Sequence, residues 1–356
     1  MTRDFVHESR PGRVVFAVGA ASRLAGEVER LGLRRLIVVC TPEQAELAAE
    51  LTSPFDGRVA ALHPHATSHV PVAVAATAVA RSREIDADGC LAIGGGSAIG
   101  LAKAIAKDTG LPVVAVPTTY AGSEMTPIWG LTDGGRKTTG RDPRVLPSTV
   151  VYDPRLTLTL PTSLSVTSGV NALAHAAEAL YAPDGSPITA LMAAESARAL
   201  AAALPRVVAD PHDLDARSEA LYGAWLAGSV LGATTMSLHH KLCHILGGTF
   251  DLPHAETHTA VLPHVLAFNL PAAPRARAAL RNAFGAGDPA AHLFRLADDL
   301  GADMSLKSLG MPEDGVDTVV TQALSAPYAN PRPVTEHDLR VLLGNALTGS
   351  CPTEDT

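Results

Sequence analysis

Asn171 and His175 stand four residues apart in SGVNALAHAAEAL, His240 and His244 are spaced the same way in LHHKLCH, and His254 follows in FDLPHA. Residues four apart share one helix face, so these spacings can gather several imidazoles and one amide at a single place. Three imidazoles could close on a divalent ion, but a hydrolytic or Lewis-acid site usually adds an anionic ligand that holds the cation and balances its charge. Asn171 offers only a neutral amide oxygen. The set therefore reads as a cleft built from a former or relaxed metal site, with no metal expected. The alternative is a group of hydrogen-bonded core histidines.

The elements that must position these residues fall into two textures that meet near residue 155. Before it, short β-rich runs alternate with helical stretches: RVVFAVG from Arg13, RRLIVVC from Arg34, RVAALH from Arg58, GCLAIGG from Gly89 and PVVAVP from Pro112. That alternation predicts an α/β domain with a parallel, doubly wound sheet over residues 1–158. Beyond it, Ala/Leu-rich segments at Ser163–Tyr181, Ile188–Ala203 and Arg217–His244 predict an all-α domain over 159–356 that carries the histidines. The join VVYDPRLTLTLPTSLS reads as a hinge, and the tail CPTEDT reads as frayed.

The run AIGGGSAIGLAKAIAK sets Gly94, Gly95, Gly96 and Ser97 between a buried strand and a helix start. Glycines let backbone N–H groups approach a phosphate, and the helix N-terminus favours negative charge. The turn follows the fourth strand rather than the first, and no acidic residue follows at the spacing of a Rossmann ribose contact. A tight structural turn would explain the same glycines. At the exit of the next strand, PTTYAGSEMTP offers Thr118, Thr119, Tyr120 and Ser123. Open sheets bind ligands at this end of their strands, although the same hydroxyls could simply satisfy a loop backbone.

Composition bounds the function. The chain has 356 residues, of which 47% are hydrophobic and 18% charged, enough for two domains and a large core. A net charge of -8 argues against nucleic acid as a partner. Cys40, Cys90, Cys243 and Cys351 show no CxxC spacing, so neither a thiolate metal site nor a disulfide framework is expected. The polar start MTRDFVHESRPGR lacks an apolar signal region, which leads to the expectation of a cytoplasmic protein without membrane contact.

GGGS, PTTYAGSEMTP, GRKTTGRDPRVLP, SGVNALAHAAEALYA and LHHKLCHILGGTFDLPHAETHT together resemble the iron-containing alcohol dehydrogenase superfamily and, within it, the maleylacetate reductase group. The likeness covers about residues 10 to 270. It implies a dehydroquinate synthase-like N-terminal domain that binds NADH or NADPH, a helical C-terminal domain, a cleft between them, and a homodimer. The metal ligands of metal-dependent relatives, one Asp and three His, fall here on Asn171, His175, His240 and His254, with His244 as a further cleft histidine. Where NAD-selective relatives present an Asp to the adenosine ribose, this chain reads VVCTPEQ, with Thr41 at that place. Both cofactors are therefore expected to be used.

The substrate implied is a small dianionic enone acid, reduced at its conjugated C=C bond to 3-oxoadipate during aromatic-compound degradation. The rivals are a metal-dependent alcohol dehydrogenase and a dehydroquinate synthase-like lyase or cyclase. His240 and His175 are assigned as enolate donors and proton source, His244 and His254 as the wall of the cleft, and Asn171 as orienting substrate. Tyr120 is counted with the catalytic set. Two carboxylates need cations: Lys137 and Lys241 are the first choices, with Arg136, Arg141 and Arg144 either assisting or merely solvating a charge-rich hairpin. His63, His65 and His69 read as surface histidines, and THTAVLPHV, with His258 and His264, as the start of a packed helix. Glu178 reads equally as a cleft contact or a salt-bridge cap.

Overall fold

The computed structural model describes Phe5, His7 and residues 12–134, 136–285 and 287–352. The chain divides into two compact units. One spans Ser9–Leu160; the other spans Pro161–Thr356 and includes the described residues Phe5 and His7. His7 Nδ1 lies 3.2 Å from Ser186 Oγ, within the helical unit.

The first unit holds strands β1 (Arg13–Phe16), β2 (Leu36–Val39), β3 (Val59–His63), β4 (Gly89–Gly94), β5 (Val113–Pro117), β6 (Ile128–Asp133), β7 (Arg136–Arg141) and β8 (Thr149–Tyr152). Its helices are α1 (Leu24–Arg30), α2 (Ala45–Thr52), α3 (Val72–Glu84) and α4 (Gly96–Thr109). Six strands pair in parallel in the order β1-β8-β5-β4-β2-β3, while β6 and β7 form a separate antiparallel hairpin. β2 and β4 are buried along their whole length, as a parallel sheet covered on both faces requires.

Successive side chains point to opposite faces of a strand, and the core splits accordingly. Ile37, Val39, Cys90 and Ala92 pack with Ala78 of α3 and Leu101 and Ile105 of α4. Leu36, Val38, Leu91 and Ile93 pack with Leu24 and Val28 of α1 and Ala48 of α2. This is the doubly wound arrangement expected from the alternating runs. One segment departs from the expectation: Val150–Tyr152, read as the start of a hinge, belong to β8, fully buried between β1 and β5. Its VVY run is apolar enough to fill that slot, and the chain leaves the sheet only at Asp153.

The second unit is helical among its described residues: α5 (Thr162–Ala179), α6 (Pro187–Ala209), α7 (Leu214–Ala233), α8 (Leu238–Phe250), α9 (His254–Asn269), α10 (Pro274–Phe284), α11 (Pro289–Asp299), α12 (Gly315–Leu324) and α13 (Glu336–Thr348). From Ser165 onward α5 is buried on every side, which makes it the central helix of the unit; it packs against α6, α7 and α9. Gly169 permits close approach, since a Cβ there would lie 2.6 Å from a Leu204 methyl carbon.

The stretch expected as one helix from Arg217 to His244 is broken at Thr234–Ser237 into α7 and α8. No proline or glycine marks the break. Asp184 takes the Thr235 N–H at 2.9 Å, and the N-terminus of α8 is turned onto Glu178. No helix among the described residues is long and apolar enough to cross a membrane.

Candidate active site

In the first unit the glycine turn caps β4. Gly94 has φ +142°, and a Cβ there would lie 2.3 Å from Gln44 Oε1. Gly95 is equally constrained, with Thr119 Cγ2 2.8 Å from its would-be Cβ. Both glycines are fixed by the protein itself. Gly96 differs: it opens α4, is exposed, and a Cβ on it would meet nothing within 4 Å. α4 has no side-chain cap at Gly95, so its first-turn N–H groups face that open space, with Ser97 half-buried beside it. This is the arrangement in which an anion settles on a helix N-terminus.

The hydroxyl-rich loop after β5 is held tightly from below. Thr118 is buried, its hydroxyl accepts from Gln44 Nε2 at 2.7 Å, and its N–H donates to Gly94 O at 3.2 Å. The buried Lys103 ammonium of α4 donates to Ser123 O, Thr126 Oγ1 and Ile128 O at 2.5, 2.8 and 2.8 Å. Three acceptors match its three protons. Burial pushes the Lys103 pKa down to about 7, with Glu124 opposing that fall. Glu124, also buried, accepts from Tyr152 OH at 2.6 Å. Ser123 Oγ is buried without a partner, and Tyr120 is fully buried. Lys103, Glu124 and Gln44 were not singled out by sequence, because each resembles an ordinary polar position in a helix or loop.

The cations of the hairpin fare differently. Lys137 is half-buried, and desolvation lowers its pKa. Arg144 is spent on Asp142, paired at 2.7 Å on the surface. Arg141 is exposed, and the Arg136 side chain lies outside the described residues. Thr41 is half-buried at the head of a 3-10 turn, Pro42–Gln44.

In the second unit the histidines do come together. His175 Nδ1 lies 2.8 Å from His240 Nε2, and His240 Nδ1 lies 2.7 Å from Glu178 Oε2. Glu178 also accepts from the Ser237 and His239 backbone N–H groups at 2.8 and 2.9 Å. A carboxylate beside Nδ1 assigns the proton to that nitrogen. His240 Nε2 then accepts, and His175 Nδ1–H donates to it. The result is a buried chain from Glu178 through His240 to His175. His244 and His254 are exposed around it; the His244 ring centroid is 6.2 Å from that of His240, and that of His254 is 4.4 Å from that of His258. Asn171 is buried one turn before His175, with Oδ1 unpartnered.

Three further residues complete this cluster: Glu178, open between a cleft contact and a cap in the sequence; His258; and His239, which the sequence did not single out. Glu178 follows His175 by three positions and Asn171 by seven, so the helix stripe itself was the signal. His258, expected only to pack in α9, sits at the centre, 5.1 Å from His240 and 6.3 Å from His175 between ring centroids. His239 Nε2 lies 3.0 Å from His258 Nδ1. Burial, and then the neighbouring imidazoles, push both far below the usual histidine range, so both are neutral at pH 7. Cys243 closes a group in which one ligand atom each of His239, Cys243 and His258 lies within 4.8 Å of the others. Burial raises the Cys243 pKa far above the ordinary thiol range, and the two imidazoles already engage each other. Lys241 is half-buried, its Nζ 6.0 Å from the centre of the Tyr328 ring, with no ion pair among the described residues. His63 corrects the surface reading of its segment: it is buried at the end of β3, with its ring centroid 4.8 Å from that of His65.

The donor set does not fit a divalent cation of the family kind. Asn171 is neutral, His175 and His240 spend facing nitrogens on each other, and the nearby carboxylate is committed to three N–H groups. A dication there would lack charge balance.

Comparison with known proteins places these observations. Residues 11–154 match the family described as iron-containing alcohol dehydrogenase, and residues 165–347 match the C-terminal part of the same family. A maleylacetate reductase of Sphingobium indicum is 56% identical over 349 residues, covering 98% of this chain and 99% of that one. The crystal structure of maleylacetate reductase from Agrobacterium tumefaciens superposes with a TM-score of 0.95 at 49% identity, covering 99% of this chain and all of that one. A sulfoacetaldehyde reductase from Bifidobacterium kashiwanohense, solved in complex with NAD+, superposes with a TM-score of 0.88 at 25% identity over 98% of this chain and 99% of that one.

Proposed function

This chain belongs to the iron-containing alcohol dehydrogenase family, and from that membership we propose that it reduces the conjugated C=C bond of maleylacetate to 3-oxoadipate with NAD(P)H, without a metal ion. The observation that carries the reading is the Glu178–His240–His175 chain beside a neutral Asn171, in a protein 56% identical to a maleylacetate reductase.

The nicotinamide cofactor, when bound, supplies the hydride. Gly96 and the uncapped start of α4 would hold its pyrophosphate, and Thr118, Thr119 and Ser123 would hold its remaining polar groups. An unconjugated ketone reduced by hydride concentrates charge on one alkoxide oxygen, where a Lewis acid contributes several kcal/mol. An enone takes hydride at the β carbon instead and becomes an enolate, its charge spread between oxygen and the α carbon. Hydrogen-bond donors suffice for such a charge, each well-aimed one contributing about 2.7 to 4 kcal/mol. His175, when it carries a second proton on Nε2, donates it to the enolate and delivers it to the α carbon, so hydride and proton together saturate the bond; His240, whose two ring nitrogens face Glu178 and His175, stabilises that charge. Glu178 holds His240 in the tautomer the chain needs and stabilises the added proton. Asn171 orients substrate through its side-chain NH2, the part of the amide that can donate to an oxygen-rich dianion.

Lys241, with no carboxylate partner among the described residues, meets a substrate carboxylate. The lowered Lys137 pKa marks a cation that gains by taking an anion as neighbour. The test is NADH oxidation with maleylacetate against simple aldehydes. Preference for the dianion by at least about a hundredfold in kcat/KM supports the reading, which corresponds to about 2.7 kcal/mol; faster reduction of aldehydes refutes it.

A further inference from the structure

The Asn171 set lacks an anionic ligand, but a separate group of buried side chains beside it has one. His239 and Cys243 stand four apart on α8 and share a face, and His258 comes from α9, which packs against α8. His239 Nε2 lies 3.0 Å from His258 Nδ1 and 3.7 Å from Cys243 Sγ, and one ligand atom of each residue lies within 4.8 Å of the others. None of the three occupies a position matching the metal ligands of metal-dependent relatives.

With Zn–N bonds of about 2.0–2.1 Å and Zn–S bonds of about 2.3 Å, a tetrahedral ion sets two nitrogens about 3.3 Å apart and a nitrogen and a sulfur about 3.6 Å apart. The separations of 3.0 and 3.7 Å differ from those edges by a few tenths of an ångström. The missing CxxC spacing spoke only against cysteine pairs; here the companions of the thiol are imidazoles. A thiolate supplies the negative charge that Asn171 does not, and sulfur with imidazole nitrogen suits zinc. The ion takes the place of the one proton held between the two rings, and His258 Nε2, buried without a partner, is open to receive it. Exposed His254, its ring centroid 4.4 Å from that of His258, borders the way in from solvent.

We propose that His239, Cys243 and His258 form an inhibitory zinc(II) site, in which the ion binds the thiolate and two imidazole nitrogens and the thiol proton passes to solvent. Zinc and thiolate together leave a single net positive charge. The His258 ring centroid is 5.1 Å from that of His240 and 6.3 Å from that of His175, so this charge opposes protonation of the Glu178–His240–His175 chain. Inhibition rests on the role assigned to that chain; binding does not.

Titration of metal-free protein with cobalt(II) chloride tests binding without substrate or variant, through the near-ultraviolet thiolate-to-cobalt band, which zinc chloride should abolish at one equivalent per chain. NADH oxidation with maleylacetate should fall at least about tenfold at saturating zinc and recover on chelation, and Cys243→Ser should lose the band and need at least about tenfold more zinc for half-inhibition. Cobalt binding to wild type without the band would overturn the site. Equal zinc sensitivity of wild type and Cys243→Ser would also overturn it, by placing the ion on other ligands. Full turnover with zinc bound would overturn the inhibitory role. Failure of metal-free protein to reduce maleylacetate would instead overturn the proposed activity, while the cobalt band still decides the site.

Discussion

Replacing Glu178 by Gln changes one buried atom and tests the chain of imidazoles at its root. Oε1 accepts from the His239 N–H, and Oε2 accepts from the Ser237 N–H and from His240 Nδ1. The cheaper orientation of a glutamine keeps the oxygen at the Oε2 position and turns its NH2 toward the His239 N–H. One buried donor then loses its acceptor, costing about 1–3 kcal/mol of stability, and the remaining bonds lose their charge assistance. The folded protein survives this, but His240 no longer has a carboxylate to favour the protonated chain. Turnover of maleylacetate should fall by about a hundredfold, or roughly 2.7 kcal/mol in the barrier, while NADH affinity stays within about twofold because Glu178 bonds to none of the residues assigned to the cofactor. Denaturant unfolding, NADH titration and steady-state kinetics on one preparation separate these effects. A folded Glu178→Gln protein with kcat within about threefold of wild type would refute the chain as the proton source.

Other consequences follow from the same geometry. Gly96→Val should weaken NADH binding by at least about tenfold with little change in unfolding free energy, since it enters open space, whereas Gly94→Ala should cost stability by about 1–3 kcal/mol at a positive φ; similar behaviour of the two variants in both assays would contradict the phosphate site. The depressed Lys103 pKa means that, between about 7 and the ordinary lysine value of 10.5, the folded protein binds fewer protons than the unfolded chain. Wild-type stability should therefore rise relative to Lys103→Met as pH goes from 7 to 9, with the burial penalty complete below 7; a pH-independent difference in denaturant unfolding would argue against it. Lys241→Met should raise KM for the dianion about tenfold with kcat held, and an unmoved KM would remove Lys241 from the substrate site.

The parallel sheet was legible because β2, β4 and β5 are uninterrupted apolar runs that nothing but a two-sided core can absorb. β8 was missed because its short apolar run is followed at once by Asp-Pro, which reads as a turn. The break between α7 and α8 was hidden for another reason: it is specified by acceptors from elsewhere in the chain, Asp184 and Glu178, rather than by a breaker residue of its own. The same dependence explains the site. Asn171, His175 and His240 could be read from spacing, since helix periodicity places them. Glu178 could be read from its stripe as a cleft contact, with a salt-bridge cap as the equal alternative, and His239 and His258 owe their place to packing between α8 and α9.

The central claim is that imidazole protons, held in line by Glu178, do the work a cation does in metal-dependent members of the family. Protein exhaustively treated with chelator and shown by elemental analysis to be free of transition metal should reduce maleylacetate with NADH at its untreated rate. Loss of turnover on stripping, restored by one equivalent of ferrous or zinc ion, would contradict the account.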